Sequence, residues 1–246
     1  MGSALLYQYT YLVMSKQKIK VDIFSDINCP WCYVGERRLT KAIEASADKY
    51  DFSINFKAYE LNPNIPQEGM TRETYFKNSY GPDAMLRIAA SEERLVADGA
   101  AEGIAFNFTP AMSVNNTFNG HRLIWLAGEL GVQEQVASAL FEAYFTQNMN
   151  MNDTTVLTQI GVENGIPADK LENFFESEAG KKEVREMENF AQSAGISGVP
   201  AFVINDQYLV SGAQPSETLL NVFQQIAPAL QEINLEGDSC GIDSNC

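Results

Sequence analysis

The feature that most constrains this chain is the segment SDINCPWCYVGERRL, starting at Ser25, in which two cysteines flank a Pro-Trp pair. Residues 19–26, IKVDIFSD, lead into this segment. Their apolar and polar side chains alternate and several are β-branched, which predicts a strand. The residues after it place Leu39 and Ile43 at helical spacing, and Pro30 suits the first turn of a helix, where its missing N–H is not needed. A cysteine pair between a strand and a helix favours redox chemistry over half of a metal site or an incidental pair of thiols.

The rest of the chain supplies the elements around this pair. A second alternating segment at 52–61 completes a strand–helix–strand unit, which is expected to be parallel and right-handed. Strand character returns within 199–213, with a turn at Asn205-Asp206, and an amphipathic helix starts near Pro215. The segments between these two units show almost only helical spacing, with candidate helices at 71–79, 83–102, 117–130, 133–147, 154–164, 168–176 and 178–194.

The order βαβ, helical block, ββα predicts an α/β thioredoxin fold with a large α-helical insertion domain. We divide the chain accordingly into five parts. They are an N-terminal extension at 1–18, a first thioredoxin-fold part at 19–62, a helical insertion at 63–195, a second thioredoxin-fold part at 196–232, and a flexible cysteine-containing tail at 233–246.

Composition limits the partners and the location. The 246 residues carry a formal net charge of −15, and a surface this acidic disfavours nucleic acid and anionic membranes. No apolar run reaches the roughly 18 residues that a membrane span requires. The N-terminal apolar patch lacks a preceding basic residue and a following cleavage site, so we expect no secretory signal and a cytoplasmic protein.

The two cysteines are expected to have different roles. If a helix begins at Pro30, Cys29 is its N-cap, and the helix dipole and free N–H groups stabilise its thiolate. Cys29 is then the exposed thiol that attacks, and Cys32, one turn further in, is the shielded thiol that resolves the mixed disulfide. Pro30 restrains the loop and Trp31 partly covers it, so both are expected to contact substrate.

A second feature agrees with this interpretation. Val199-Pro200 follows a glycine and precedes a strand. In a thioredoxin-type fold this loop faces the cysteines, and a cis bond would direct its backbone groups at a bound substrate. The alternative is an ordinary trans proline that opens a strand.

Other candidate residues have several interpretations. Cys240 and Cys246 could form a second redox pair, a passive disulfide, or, with Cys29 and Cys32, a four-thiolate zinc site. For His121, the single histidine, we expect a structural role and not a catalytic one. For Asp26 we expect a carboxylate that caps the loop, and the alternative is a proton relay to Cys32.

Aromatic and methionine residues of the helical block could line an apolar peptide groove or form core, and helical spacing does not separate the two. They are Phe76, Tyr80, Phe106, Phe108, Phe141, Tyr144, Phe145, Met149 and Met151.

Three segments together, FSDINCPWCYVGERRL, NTFNGHRL and SGVPAFVINDQYLVSGAQ, resemble the DsbA family. Within it they are similar to the FrnE-like branch of thiol–disulfide oxidoreductases, which is related to 2-hydroxychromene-2-carboxylate isomerases. The resemblance implies a thioredoxin fold with a helical insertion, Cys29 as nucleophile, Cys32 as resolving thiol and Pro200 as a cis-proline. Some FrnE-like proteins carry a C-terminal cysteine pair, which Cys240 and Cys246 resemble.

We therefore expect a cytoplasmic thiol–disulfide oxidoreductase that acts on protein or peptide disulfides, without bound cofactor or metal. Thioredoxin or glutathione is its expected reducing partner. One alternative is a glutathione-dependent isomerase or kappa-class transferase that acts on a small aromatic compound. Another is a non-catalytic zinc-binding or chaperone-like module.

Overall fold

The computed structural model describes residues 16–226. The strands in this range are β1 (Gln17–Ser25), β2 (Tyr50–Ala58), β3 (Met70–Thr71), β4 (Ser113–Val114), β5 (Ala201–Ile204) and β6 (Tyr208–Ser211). The helices are α1 (Pro30–Glu44), α2 (Arg72–Tyr80), α3 (Ala84–Ala101), α4 (Phe118–Glu129), α5 (Gln133–Phe145), α6 (Thr154–Glu163), α7 (Ala168–Leu171), α8 (Lys181–Ser193) and α9 (Ser216–Ile226). None of these helices is long and apolar enough to cross a bilayer.

The main sheet has four strands in the order β2-β1-β5-β6. Strand β1 pairs in parallel with β2, where Val21 lies opposite Ile54, and antiparallel with β5, where Val21 lies opposite Ile204. The β5–β6 pair is an antiparallel hairpin. This arrangement, with helices α2 to α8 between β2 and β5, confirms the predicted α/β thioredoxin fold with a helical insertion.

The β5–β6 hairpin turns at Asn205 and Asp206, as the sequence predicted. Both residues have positive φ, 50° and 58°, as in a type I′ turn, and Asn and Asp tolerate this backbone. The turn is closed by the N–H of Gln207, which donates to the carbonyl of Ile204 at 3.1 Å. The side chain of Asn205 also accepts a hydrogen bond of 2.9 Å from the backbone N–H of Lys20. The turn is thereby fixed to the central strand β1.

The helical segment differs from expectation in two places. Strands β3 and β4 form a separate antiparallel pair, with Met70 opposite Val114, in a block for which we predicted helices and no strands. Two-residue strands are too short to show a period of two. Helix α7 ends at Leu171 instead of continuing to residue 176, because Asn173 has a φ of 54°, which no helix continues.

The insertion packs on the thioredoxin part through aromatic contacts. Tyr33 of α1 stacks on Phe141 of α5, with ring centroids 5.4 Å apart and planes 10° apart. Phe106 meets the edge of the same tyrosine ring at 6.0 Å. Tyr33 and Phe141 belong to one apolar cluster that extends from β1 to α9, and Phe106 packs against it. The insertion and the helix that carries the cysteines therefore share a core.

Helix α4 is held by a buried arginine. The guanidinium of Arg122, 1% exposed, donates to the backbone carbonyls of Phe174, Phe175, Ser177 and Ala179 at 2.8 to 3.1 Å. These bonds satisfy carbonyl groups of the non-helical segment before α8. The position of α4 relative to α8 is therefore fixed.

Strand β2 is an edge of the sheet, and a side chain covers part of it. Gln133, the first residue of α5, accepts from the backbone N–H of Phe56 at 2.9 Å and donates to its carbonyl at 3.3 Å. The sulfur of Met187 accepts from the N–H of Ala58 at 3.5 Å. The hydrogen-bonding groups of this part of the edge are therefore already used.

Candidate active site

The cysteine pair lies at the start of helix α1. Cys29 is the N-cap residue, with extended backbone angles, and Pro30 is the first helical residue. The N–H of Cys29 donates to the carbonyl of Asp26, and the N–H of Cys32 donates to the carbonyl of Cys29, both at 3.0 Å. The predicted start of the helix at the cysteine pair is confirmed.

The surroundings of Cys29 differ from expectation. Its side chain makes no capping hydrogen bond to the helix N–H groups; the sulfur instead lies 3.6 Å from the carbonyl oxygen of Val199, as the donor of a thiol hydrogen bond. The residue is only 6% exposed, whereas we expected an exposed thiol. The loop before β5 covers it from one side, and the remaining access is through a cavity described below.

Cys32 is buried inside the fold, at 2% exposure. Burial raises the pKa of the Cys32 thiol well above its ordinary value of 9.0, and the neighbouring Cys29 raises it further. The hydroxyl of Ser25 and the backbone of Asp26 act in the opposite direction through hydrogen bonds. Cys32 is therefore a protonated, inner thiol, which is the state expected of a thiol that acts second.

The loop before β5 faces Cys29. The Val199-Pro200 peptide bond is cis, and the carbonyl of Pro200 accepts from the N–H of Gly212 at 2.8 Å. On the other side of the proline lies Gly35 of α1: a β-carbon placed there would be 3.0 Å from Cγ of Pro200. The absence of a side chain at position 35 allows helix and loop to approach this closely.

An apolar cavity of about 290 Å³ opens beside Cys29, between the thioredoxin part and helices α2 and α3. Most of the side chains that line it are aromatic or aliphatic, and Cys29, Pro30 and Trp31 form one wall. The other lining residues are Asn28, Leu61, Asn62, Ile65, Arg72, Tyr75, Phe76, Tyr80, Ile88, Ser91, Glu92, Leu95, Phe108, Met112, Val114, Tyr144 and Phe145.

Arg72 is the one cationic residue in that lining. It forms an ion pair with Glu92 and donates to the carbonyl of Thr109 at 3.3 Å. Its guanidinium lies 5.6 Å from the ring centres of both Phe76 and Phe108. Burial lowers the pKa of Arg72, and the ion pair compensates its charge, so the cavity wall is close to neutral.

Behind the cysteines lies a group of ionisable residues, most of them buried, that we did not predict as a unit. His121 of α4 and Asp26 are 4% and 1% exposed, with Nε2 of His121 3.7 Å from Oδ1 of Asp26. Glu60, which follows β2, pairs with Arg185 of α8 at 2.5 Å, and burial raises the pKa of Glu60. These residues are far apart in the sequence, so only the fold brings them together.

The structure thus brings together Cys29, Cys32, Val199 and Pro200, and it places Pro30 and Trp31 in the cavity wall. Their catalytic and substrate-binding roles stay predictions. Cys240 and Cys246 lie outside the described residues. Within 16–226, no group of three or more His, Cys, Asp or Glu side chains is placed to hold a metal ion.

A dithiol at the start of a helix, beside a cis-proline loop and on a sheet of order β2-β1-β5-β6, defines a thioredoxin-fold protein with a redox-type site. The sequence profile of the DSBA-like thioredoxin domain matches residues 20–224, nearly all of the described chain. The chain belongs to this family, and the predicted resemblance to DsbA is confirmed.

Solved structures agree with this assignment. A probable DsbA oxidoreductase from Streptomyces coelicolor is 32% identical, with a TM-score of 0.78, and the match covers 92% of this chain and 100% of that one. A 2-hydroxychromene-2-carboxylate isomerase is 16% identical, with a TM-score of 0.64 and coverage of 84% and 95%. The cytosolic disulfide reductase DsbM from Pseudomonas aeruginosa, solved with GSH, is 16% identical, with a TM-score of 0.52 and coverage of 84% and 100%. The last two share the fold.

Proposed function

We propose that this protein is a cytoplasmic, FrnE-like thiol–disulfide oxidoreductase that acts on protein or peptide disulfides. One observation carries the proposal: the sulfur of Cys29 lies at the wall of an apolar cavity and 3.6 Å from the carbonyl of Val199, while Cys32 is buried behind it. The sulfur of Cys29 is thus accessible to a substrate in the cavity, and the buried sulfur of Cys32 can act on Cys29 in the second step.

In the reducing direction, the thiolate of Cys29 attacks a substrate disulfide. A bond forms between Cys29 and one substrate sulfur, the substrate S–S bond breaks, and the other substrate sulfur leaves as a thiolate. Cys32 then loses its proton and attacks the sulfur of Cys29, which forms the Cys29–Cys32 disulfide and releases the second substrate thiol. Two electrons pass from the dithiol to the substrate, and the oxidising direction is the reverse.

The cavity supports a substrate with apolar groups next to its disulfide. Its lining is mostly aromatic and aliphatic, and Leu61 and Tyr80, 46% and 58% exposed, extend the apolar surface beyond it. An apolar side chain of a partly unfolded protein would be desolvated there. At about 25 cal/mol per Å² of buried apolar area, such contacts would select exposed hydrophobic segments.

The proposed oxidoreductase needs no bound cofactor. We propose thioredoxin or glutathione as the partner that restores the dithiol; DsbM, which shares the fold, was solved with GSH. We propose Cys240 and Cys246 as an accessory redox pair, an assignment that rests on the sequence alone.

The test uses the variants Cys29→Ser and Cys32→Ser with insulin reduction and reactivation of scrambled ribonuclease. We expect Cys29→Ser to lose both activities and Cys32→Ser to accumulate a mixed disulfide with substrate, visible by non-reducing electrophoresis and mass spectrometry. The double variant Cys240→Ser/Cys246→Ser tests the accessory pair separately: it should slow turnover and leave the reaction of Cys29 with substrate intact. Full activity of Cys29→Ser would refute its role as nucleophile.

A glutathione-dependent isomerase or transferase is a second candidate, because an apolar cavity of about 290 Å³ also suits a small aromatic compound. This function would need Cys29 or glutathione but no resolving thiol. Turnover of an aromatic substrate that glutathione stimulates and that survives Cys32→Ser would favour it. Loss of turnover in Cys32→Ser would favour the oxidoreductase.

A further inference from the structure

The backbone of Asp26 acts on both halves of the dithiol. Its carbonyl accepts from the N–H of Cys29 at 3.0 Å, and its backbone lowers the pKa of the Cys32 thiol against the effect of burial. Its carboxylate accepts from the N–H groups of Asn28 at 3.2 Å and Leu61 at 2.7 Å. A change in the charge near this carboxylate therefore changes the electrostatic potential at both cysteines.

His121 faces this carboxylate from the helical insertion. Its Nε2 atom lies 3.7 Å from Oδ1 of Asp26 and has no hydrogen-bond partner among residues 16–226. The side chain is 3% exposed. A buried polar atom without a partner costs free energy, and a histidine with a purely structural role is normally hydrogen-bonded. This nitrogen faces the carboxylate of Asp26. At 3.7 Å the interaction between the two groups is electrostatic and not a hydrogen bond.

Other charged groups near the pair come from two further elements. Glu60, after β2, interacts with the charge of His121 and pairs with Arg185 of α8, which also pairs with Glu188 at 2.6 Å. Lys57 of β2 lines the small space beside His121. Helix α5 contributes the apolar ring of Phe141 there. Glu60 is thus a second carboxylate near His121, but it is paired with Arg185, whereas Asp26 is the carboxylate within 4 Å of the imidazole.

We propose that His121 is a positioning residue that sets the redox equilibrium of the Cys29–Cys32 pair through Asp26. A protonated imidazole balances the negative carboxylate and so stabilises the reduced form, in which Cys29 becomes a thiolate. A neutral imidazole leaves the carboxylate uncompensated, and two negative charges near each other disfavour the thiolate. This inference rests on the proposed dithiol function and adds a dependence on pH that the two cysteines alone do not explain.

The test is the equilibrium between the protein and glutathione, measured at pH 6 and pH 8.5 for the wild type and His121→Gln. We expect His121→Gln to shift the equilibrium toward the oxidised protein by about fivefold at pH 6. At pH 8.5 the difference between the two proteins should be smaller than at pH 6, because the share of positively charged imidazole decreases as the pH rises. Equal constants for both proteins at pH 6 would overturn the proposal.

Two further variants separate an electrostatic from a structural effect. In an Asp26→Asn background, His121→Gln should have no further effect, because the charge it acts on is gone; an undiminished effect would overturn the role of Asp26. Arg122→Lys is the matched control, since Arg122 is equally buried on the same helix but bonds to carbonyls before α8. We expect it to lower stability and leave the glutathione equilibrium unchanged at both pH values.

A measurement on the wild type keeps the proposal testable if His121→Gln does not fold. The chain has one histidine, so after tag removal its imidazole gives a single set of proton NMR signals. We expect the midpoint of its titration to differ between the oxidised and reduced protein, and identical midpoints would overturn the coupling. A wild type that never exchanges with glutathione would instead refute the proposed function, and this inference with it.

Discussion

The sulfur of Cys29 and the carbonyl oxygen of Val199 lie 3.6 Å apart, although 170 positions separate the two residues in the sequence. The contact joins the two thioredoxin-fold segments that the helical insertion separates. A thiol can donate to this carbonyl, and a thiolate cannot. In the proposed reaction, ionisation of Cys29 would free the Val199 carbonyl to accept from the backbone of an incoming substrate.

The close approach of α1 to the cis-proline loop predicts that Gly35→Ala weakens the site. The new β-carbon would lie 3.0 Å from Cγ of Pro200 and 3.3 Å from Cζ of Phe202. We expect a loss of about 1–2 kcal/mol in the free energy of unfolding and slower insulin reduction. Gly198→Ala, where a β-carbon meets nothing within 4 Å, is the control and should be nearly neutral. Wild-type stability in Gly35→Ala would show that the loop moves without cost.

The raised pKa of Cys32 predicts the pH dependence of the resolving step. Burial, followed by the neighbouring Cys29, raises this pKa well above 9.0, so at neutral pH only a small fraction of Cys32 is thiolate. That fraction, and with it the rate of resolution, should increase about tenfold per pH unit from pH 7 to pH 9 without a plateau. Stopped-flow measurement of substrate thiol release from a preformed mixed disulfide reports this rate. A plateau below pH 9 would contradict the prediction.

The cavity predicts a way to separate substrate binding from redox chemistry. Ser91 of α3 lines the cavity and Ala90 does not. Ser91→Trp should fill the cavity and reduce the rate with an apolar peptide disulfide by about tenfold, a loss of roughly 1.4 kcal/mol. Its equilibrium with glutathione should not change.

Ala90→Trp adds the same side chain to the neighbouring position of the same helix and is the control. It should behave as the wild type with both substrates. A Ser91→Trp protein with full activity toward the peptide would place apolar substrates elsewhere.

The ion pair of Glu60 and Arg185 predicts a pH-dependent stability. The Glu60 side chain is 2% exposed, and burial raises its pKa, so the ionised form is costly in the folded state. Stability from this group is full below its ordinary value of 4.5 and decreases as the pH rises through the raised value. Arg185→Met removes the compensating charge and should cost about 1–2 kcal/mol more at pH 8 than at pH 4.5 in urea unfolding.

Glu60→Gln in the Arg185→Met background tests the cause. It removes the uncompensated carboxylate and should recover most of the loss at pH 8. A cost of Arg185→Met that is equal at both pH values, or that Glu60→Gln does not relieve, would assign the loss to packing of the arginine on Phe118, whose ring centre lies 4.2 Å from the guanidinium.

The elements near the cysteines could be predicted from the sequence because their signals are local. Alternation marks β1, Pro30 marks the first helical turn, and Asn205-Asp206 marks the hairpin. The β3–β4 pair could not be predicted, because two residues per strand are too few for any period and the pairing spans about 40 positions. Its existence depends on contacts that only the folded insertion supplies.

The site was partly predictable for the same reason. The cysteines and Val199-Pro200 are recognisable in short segments, whereas the cavity depends on how α2 and α3 lie over α1. Among the aromatic residues considered from the sequence, Phe76, Tyr80, Phe108, Tyr144 and Phe145 line the cavity, and Phe106 and Phe141 do not. Five of these seven residues lie on α2 and α5 and Phe106 and Phe108 lie between α3 and β4, so spacing alone could not separate the wall of a cavity from core.

The side chain of Gln133 blocks part of the β2 edge of the sheet from pairing with a further strand. By occupying both hydrogen-bonding groups of Phe56, it behaves as a one-residue substitute for a neighbouring strand. Another polypeptide could not register against this stretch of β2 without first displacing an amide that already satisfies it. Edge-to-edge pairing between copies of the protein is therefore disfavoured at this part of β2, and one glutamine side chain is sufficient for this effect.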